Sequence, residues 1–247
     1  MDKAKQVSEP NMDKPEQYSV FGTVFWMLAL SLGTSSVIAL LIIVPMMLIG
    51  YEGPAVLAFL DKPNILLMTS VLTLLISYPL LKIATFHSLE KGLPRDFLAI
   101  KPIQLTTLAF WLGVALLVGM AEHWLIGFLE IPVSESMVKL KASVDHLGHL
   151  VLVVCSIVVL IPILEELVFR GMAYHRIEHS RFGTLGALVI PTLVFNFMHV
   201  QYPWLLLLVL LPGSFLLAYA RYKTGNVNYS IAMHMLLNAI SLWFLFS

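Results

Sequence analysis

The chain has 247 residues, of which 59% are hydrophobic and only 12% charged, with fifteen basic residues balanced by fifteen acidic ones. Soluble globular domains carry roughly 45–50% apolar and about 25% charged residues, so this composition excludes an ordinary soluble domain and points to the membrane. A net charge of zero gives no reason to expect a nucleic-acid partner, and the single cysteine, Cys155, excludes an intrachain disulfide.

The first 17 residues are polar, with Lys3, Lys5 and Lys14 set among acids. The apolar run that follows is far longer than the roughly 7–15 residues of a signal-peptide core, and it reads as a first spanning helix. A hydrocarbon layer about 30 Å thick takes about 20 apolar residues per helix. Such runs occur at Val20–Leu48, Ile65–Phe86, Leu105–Phe128, Leu150–Phe169, Leu185–Val200, Trp204–Tyr219 and Val227–Phe246. The first is long enough to be tilted or broken near Gly33 or Pro45. The expectation is an all-α polytopic transmembrane bundle of about seven to eight helices. It would form a single membrane domain over residues 18–247, behind a cytoplasmic tail of residues 1–17.

Basic residues set orientation, because loops rich in Lys and Arg stay inside. One set of alternate connections carries Lys3, Lys5, Lys14, Lys82, Lys91, Arg95, Lys101, Arg170, Arg176, Arg181, Arg221 and Lys223. The other carries only Lys62, Lys139 and Lys141. The N-terminus is therefore expected in the cytoplasm and the C-terminus outside, in a membrane such as the bacterial inner membrane.

Polar residues inside these runs are the candidates for function, since even an acid at the centre of a spanning helix costs about 2.5–3.5 kcal/mol on the lowest scales. Glu122-His123 and the group Asp145, His146 and His149 fall near span ends and read as interfacial polarity. Further on come Glu165-Glu166-x-x-x-Arg170, Phe195-x-x-x-His199 and His234-x-x-x-Asn238. A carboxylate that activates water, imidazoles that move protons or hold a metal, and an amide that steadies an oxyanion together suit hydrolysis. Glu166 and Arg170 are four residues apart with the acid first, the favourable order for a helical ion pair, which leaves Glu165 as the unpaired carboxylate. Glu165 and His199 are equidistant from a turn at Arg181–Gly183, so two antiparallel helices would bring them to equal depth. A second histidine motif, His175-x-x-Glu178-His179, has the spacing of a zinc helix. It lies in a polar segment with no acid anywhere after Glu178, and reads as a solvated turn.

Glu165-Glu166-Leu167-Val168-Phe169-Arg170-Gly171, Phe195-Asn196-Phe197-Met198-His199 and His234-Met235-Leu236-Leu237-Asn238 resemble, in order and approximate spacing, the three motifs of the CAAX protease and bacteriocin-processing family. These are intramembrane proteases also known as type II CAAX prenyl endopeptidase-like proteins, and the resemblance covers roughly residues 120–245. It implies that Glu165 and His199 activate the attacking water, with His234 and Asn238 binding the oxyanion. Glu166 and Arg170 would then be structural support, with Phe195 packed behind the histidine. A metal-dependent version makes Glu165, His199 and His234 ligands of one zinc ion, which suits a carboxylate and two imidazoles.

The expected activity is therefore cleavage of a peptide bond in a membrane-associated or lipidated substrate, in a pocket open toward the cytoplasm. A non-catalytic membrane scaffold or regulator is the alternative. A proton or small-solute carrier is a third reading, though no internal repeat supports a transporter.

Overall fold

Apolar side chains dominate nearly every segment, and in lipid a backbone must satisfy its own hydrogen bonds, so the chain is built of helices. The computed structural model describes residues 19–85 and 94–247. The tail expected at residues 1–17 and the end of the second expected span, Phe86, lie outside the described residues. The helices are α1 (Val20–Leu48), α2 (Gly53–Leu60), α3 (Pro63–Thr85), α4 (Leu105–Phe128), α5 (Glu135–Ser143), α6 (Leu147–Glu178), α7 (Gly183–Phe197), α8 (Trp204–Thr224) and α9 (Val227–Phe246). No strand occurs among the described residues. Six of the helices, all but α2, α5 and α7, are long and apolar enough to cross a membrane. The protein is a polytopic helical bundle.

Two boundaries differ from the hydropathy pattern, and both matter for the site. The fourth span continues past Phe169 to Glu178, because Arg170 and Tyr174 are buried inside the bundle, at 1% exposure each, instead of marking its edge. The fifth helix stops at Phe197, leaving residues 198–203 as a non-helical connection. Helix α7 thus has only 15 residues, or roughly 22 Å of length.

Helix α6 is also irregular. It widens to π-helical turns over Val154–Leu160 and again over Leu167–Ala173, with one short α-helical piece, Ile161–Glu166, between them. Pro162 stands near the start of that piece and donates no backbone hydrogen bond to the turn before it. Wide turns of this kind often mark functional positions, since each re-aims the side chains that follow. Here the first of them precedes the piece that carries Glu165 and Glu166.

The end of the bundle that bears Arg181, Arg221 and Lys223 is closed by packing. Phe97, Leu98, Phe169, Met172, Ala173 and Val227 form one buried cluster there with Leu81 and Ala84. Helix α8 ends on Gly225 in the left-handed conformation, φ 60°, which glycine adopts without strain. The turn delivers Asn226, 2% exposed, whose Oδ1 accepts from Asn228 N at 3.0 Å and Lys101 N at 3.3 Å. Its Nδ2 donates to Lys101 O and Pro102 O, both at 3.1 Å. One amide therefore caps α9 and ties the segment before α4 to it. Farther along, α4 and α9 approach closely at Gly119, where an added Cβ would lie 2.9 Å from Leu237 and 3.0 Å from Ile240, the small-residue contact usual between membrane helices.

Replacing Asn226 with alanine removes the cap and orphans the Pro102 carbonyl, while the Lys101 carbonyl keeps Asn228 Nδ2 at 2.8 Å; it should cost about 2–3 kcal/mol. Thermal unfolding in detergent would register this as a lower midpoint, with Asn226→Asp, which keeps the cap, falling between alanine and wild type.

Candidate active site

The site grows out of a buried ion pair. Arg170 Nη1 donates to Glu166 Oε1 at 3.0 Å, with Glu166 0% and Arg170 1% exposed. Arg170 Nη2 donates to the carbonyl of Ser214 on α8 at 2.8 Å. Its guanidinium carbon stands 4.6 Å from the ring centre of Phe195 on α7. Arg221 Nε in turn donates to the Arg170 carbonyl at 3.0 Å. This one arginine therefore joins α6, α7 and α8.

The same Glu166 oxygen holds a histidine. His234 Nδ1 on α9 is 2.9 Å from Glu166 Oε1, and a carboxylate only accepts, so Nδ1 carries the proton. That fixes the ring and turns Nε2 toward Glu165, whose Oε2 is 3.7 Å away. A carboxylate behind a histidine orients the ring and stabilises its protonated form. Glu166 thus supports His234 directly, a role that its spacing to Arg170 did not suggest.

His199 is fixed from the other side. It lies just past α7, and its Nδ1 is 2.8 Å from the Phe195 carbonyl, which again can only accept. In the neutral ring Nε2 is then the free, basic nitrogen. The Phe195 ring meets His199 edge to face at 5.1 Å and His234 at 5.6 Å, so one aromatic side chain spaces the two imidazoles. Tyr202 stacks on His199 at 5.8 Å. Asn196 fastens the connection to α8, donating from Nδ2 to the Leu207 carbonyl at 2.8 Å and accepting from Ser214 Oγ at 3.4 Å.

Glu165, His199, His234 and Asn238 all border one cavity of about 500 Å³, together with Phe195. Asn238 Nδ2 donates one hydrogen to the Ile157 carbonyl at 2.9 Å, leaving a second N–H for a ligand. That carbonyl lies within the first wide turn of α6. Glu166 and Arg170 lie behind the cavity and do not line it.

The cavity does not extend toward the basic end of the bundle. It reaches the opposite end, where Ile131–Ser134, Met137, Phe244 and Leu245 line it. Arg181, Arg221 and Lys223 contribute nothing to its wall. The physical reason is the shortness of α7 together with the packed cluster around Phe97, Leu98 and Val227 at the other end.

Among the described residues, the grouping of three potential ligands whose atoms lie within 4.8 Å of one another is Asp145, His146 and His149, at the start of α6. Glu165, His199 and His234 do not close to that distance, as ligands of one shared zinc ion would. His175 and His179 stack on each other at 4.3 Å, with His179 Nδ1 2.8 Å from the His175 carbonyl, so their spacing serves the turn.

Two residues read from sequence as interfacial polarity, Glu122 and His123, line the cavity. Glu122 of α4 is 9% exposed and accepts from Gly213 N–H at 2.7 Å. Its position near a span end hid this; its partner, in a Pro212-Gly213 step inside α8, is the signal that would have found it.

Against known families, residues 147–240 match the model described as Type II CAAX prenyl endopeptidase Rce1-like. That segment is similar to the family the three motifs resemble, and it contains Glu165, Glu166, Arg170, Phe195, His199, His234 and Asn238. The match supports CAAX-type intramembrane endopeptidase activity in general terms and a membrane-associated substrate. No curated protein and no solved structure matches the chain.

Arg170→Leu would leave Glu166 buried without its cation, a loss of about 3–5 kcal/mol. Unfolding midpoints should show the double variant Glu166→Gln/Arg170→Leu recovering part of that loss; simple additivity of the two changes would refute the coupling.

Proposed function

We propose that this protein is a membrane-embedded endopeptidase in which Glu165 and His199 activate water and His234 and Asn238 stabilise the tetrahedral intermediate. The observation that carries this reading is the convergence of those four side chains on one cavity, with Glu166 and Arg170 holding His234 from behind.

In this mechanism a water between Glu165 and His199 Nε2 gives up a proton to Glu165 as its oxygen attacks the scissile carbonyl carbon. The carbonyl oxygen becomes an oxyanion, which accepts from the free Asn238 N–H and from protonated His234 Nε2. Collapse breaks the C–N bond, and the proton held by Glu165 passes to the leaving amine. Glu166 keeps the His234 ring in register throughout, and Phe195 keeps the two imidazoles apart. Because the three donors do not meet at one point, the reaction is expected to survive chelation; loss with 1,10-phenanthroline that added zinc restores would return a metal to the site.

The orientation implied by the basic residues puts the N-terminus in the cytoplasm and the C-terminus outside, in a bacterial plasma membrane. Combined with the direction of the cavity, it puts substrate access on the outer side. The substrate is a membrane-associated or lipidated polypeptide whose cleaved segment reaches that face.

Glu165→Gln keeps the side-chain volume and removes the base, so hydrolysis should fall to background with folding intact. Comparison of protein termini in membranes from cells carrying wild type or Glu165→Gln tests this, because product termini should occur with wild type only. Identical profiles, with the variant still supporting the cell, would move the weight to a non-catalytic scaffold. Asn238→Ala should retain cleavage at a rate lower by about 10²–10³.

A further inference from the structure

Glu122 is a second carboxylate in the cavity, and nothing in the mechanism above uses it. Its setting is specific. Pro212 lies inside α8, where its ring cannot coexist with an undistorted turn. The next residue, Gly213, turns its N–H to Glu122 Oε1 at 2.7 Å. A side chain at that position would displace the carboxylate: a Cβ on Gly213 would fall 2.7 Å from Oε1 and 3.1 Å from Oε2. The Pro-Gly step thus forms a seat for one carboxylate oxygen. The other, Oε2, has no hydrogen-bond partner among the described residues, although the side chain is more than nine-tenths buried and borders the cavity.

The charge around it is one-sided. Glu122 and Glu165 are the acids in the cavity wall, and no lysine or arginine among the described residues lines it. The buried guanidinium of Arg170 behind the wall is already committed to Glu166 and the Ser214 carbonyl, and that of Arg221 to the Arg170 carbonyl. A low-dielectric cleft with two carboxylates and no lysine or arginine attracts positive charge, and the charge of a protonated His234 is already matched by Glu166 behind it. Most of the remaining wall beyond Glu122, at Ile126, Ile131, Leu242 and Leu245, is apolar, suited to the methylene stem that carries an ammonium group.

We propose that Glu122 is a specificity subsite that takes a basic side chain of the substrate, with Oε2 accepting from its ammonium or guanidinium group while Oε1 stays on Gly213. This rests on the peptidase reading for its substrate but not for its measurement, which is of binding.

The test uses purified full-length protein in detergent and pairs of N-octanoyl hexapeptides, identical except for one lysine or its uncharged isostere norleucine, placed at each position in turn. Calorimetric titration of wild type should show the lysine peptide binding about tenfold tighter at one position or two adjacent ones, as one charge-assisted hydrogen bond provides. Glu165→Gln should keep that preference. Glu122→Gln, which still accepts from Gly213, should lose it to under twofold while binding the norleucine peptides as wild type does. Equal affinities within every pair for wild type, or a preference that survives in Glu122→Gln, would overturn the subsite; the wild-type pairs decide this even if the variant fails to fold. Incubation of the same pairs with wild type and Glu165→Gln separates the two claims. Lysine preference without cleavage refutes the peptidase and leaves the subsite standing, whereas cleavage without preference does the reverse.

Discussion

The burial of Glu166 constrains everything else in this site. A carboxylate at 0% exposure inside a membrane bundle carries a desolvation penalty of several kcal/mol, which only well-placed partners offset. It has two on one oxygen, Arg170 at 3.0 Å and His234 at 2.9 Å. Arg170 must then be buried as well, and its remaining hydrogen bond goes to the Ser214 carbonyl, which pins α8 against α6. His234 must present Nδ1 to the carboxylate, which decides where Nε2 points. An ion pair of this kind is weak evidence for stability, because an apolar substitute of equal volume would often do as well. Its use is geometric. It converts the one-dimensional relation Glu166-x-x-x-Arg170 into a fixed relation among three helices, and the reactive nitrogen of His234 is placed by it.

Much of this was legible in the sequence, for physical reasons that also explain what was not. Spanning helices leave a strong record because about 20 successive residues must be apolar, and the runs beginning at Val20, Leu105, Trp204 and Val227 start helices at those same residues. The polar residues of the last third stood out because lipid penalises them. What hydropathy could not register is a polar group whose cost is met internally. Arg170 reads as the end of a span yet lies in mid-helix, neutralised by a partner four residues back. Glu122 reads as interfacial because it is six residues from the end of α4, while its partner Gly213 is 91 residues away in sequence. The two π-helical stretches of α6 have no period in the sequence that would announce them; Pro162 alone hints at the first.

The direction of the cavity is set by packing that hydropathy does not record. Equal sequence distance from a turn sets relative depth in two ideal antiparallel helices, and by that measure Glu165 and His199 should face each other. Both do border one cavity, but His199 belongs to the connection after α7, held by the Phe195 carbonyl, and has left the helix. Ending α7 at Phe197 opens space on the side of Gln201 and Tyr202, where a full-length span would have filled it. The basic end, by contrast, is where Asn226 laces two segments together and Phe97 and Leu98 fill the interior. A pocket had one way to run. The basic residues mark the closed end.

The two cavity carboxylates differ in what each can do, and the difference lies in their partners. Glu165 faces an imidazole nitrogen at 3.7 Å, a group able to carry a proton to and fro. Glu122 faces a backbone N–H, which never gives its proton up. A base must exchange its proton within each turnover, so Glu165 has the neighbour that base chemistry requires. A group that recognises a ligand must instead stay fixed while the ligand comes and goes. The Gly213 contact, made by a backbone held in a helix, supplies that fixity. In the reading proposed above, Glu122 is the carboxylate of the pair set up to hold, and Glu165 the one set up to react.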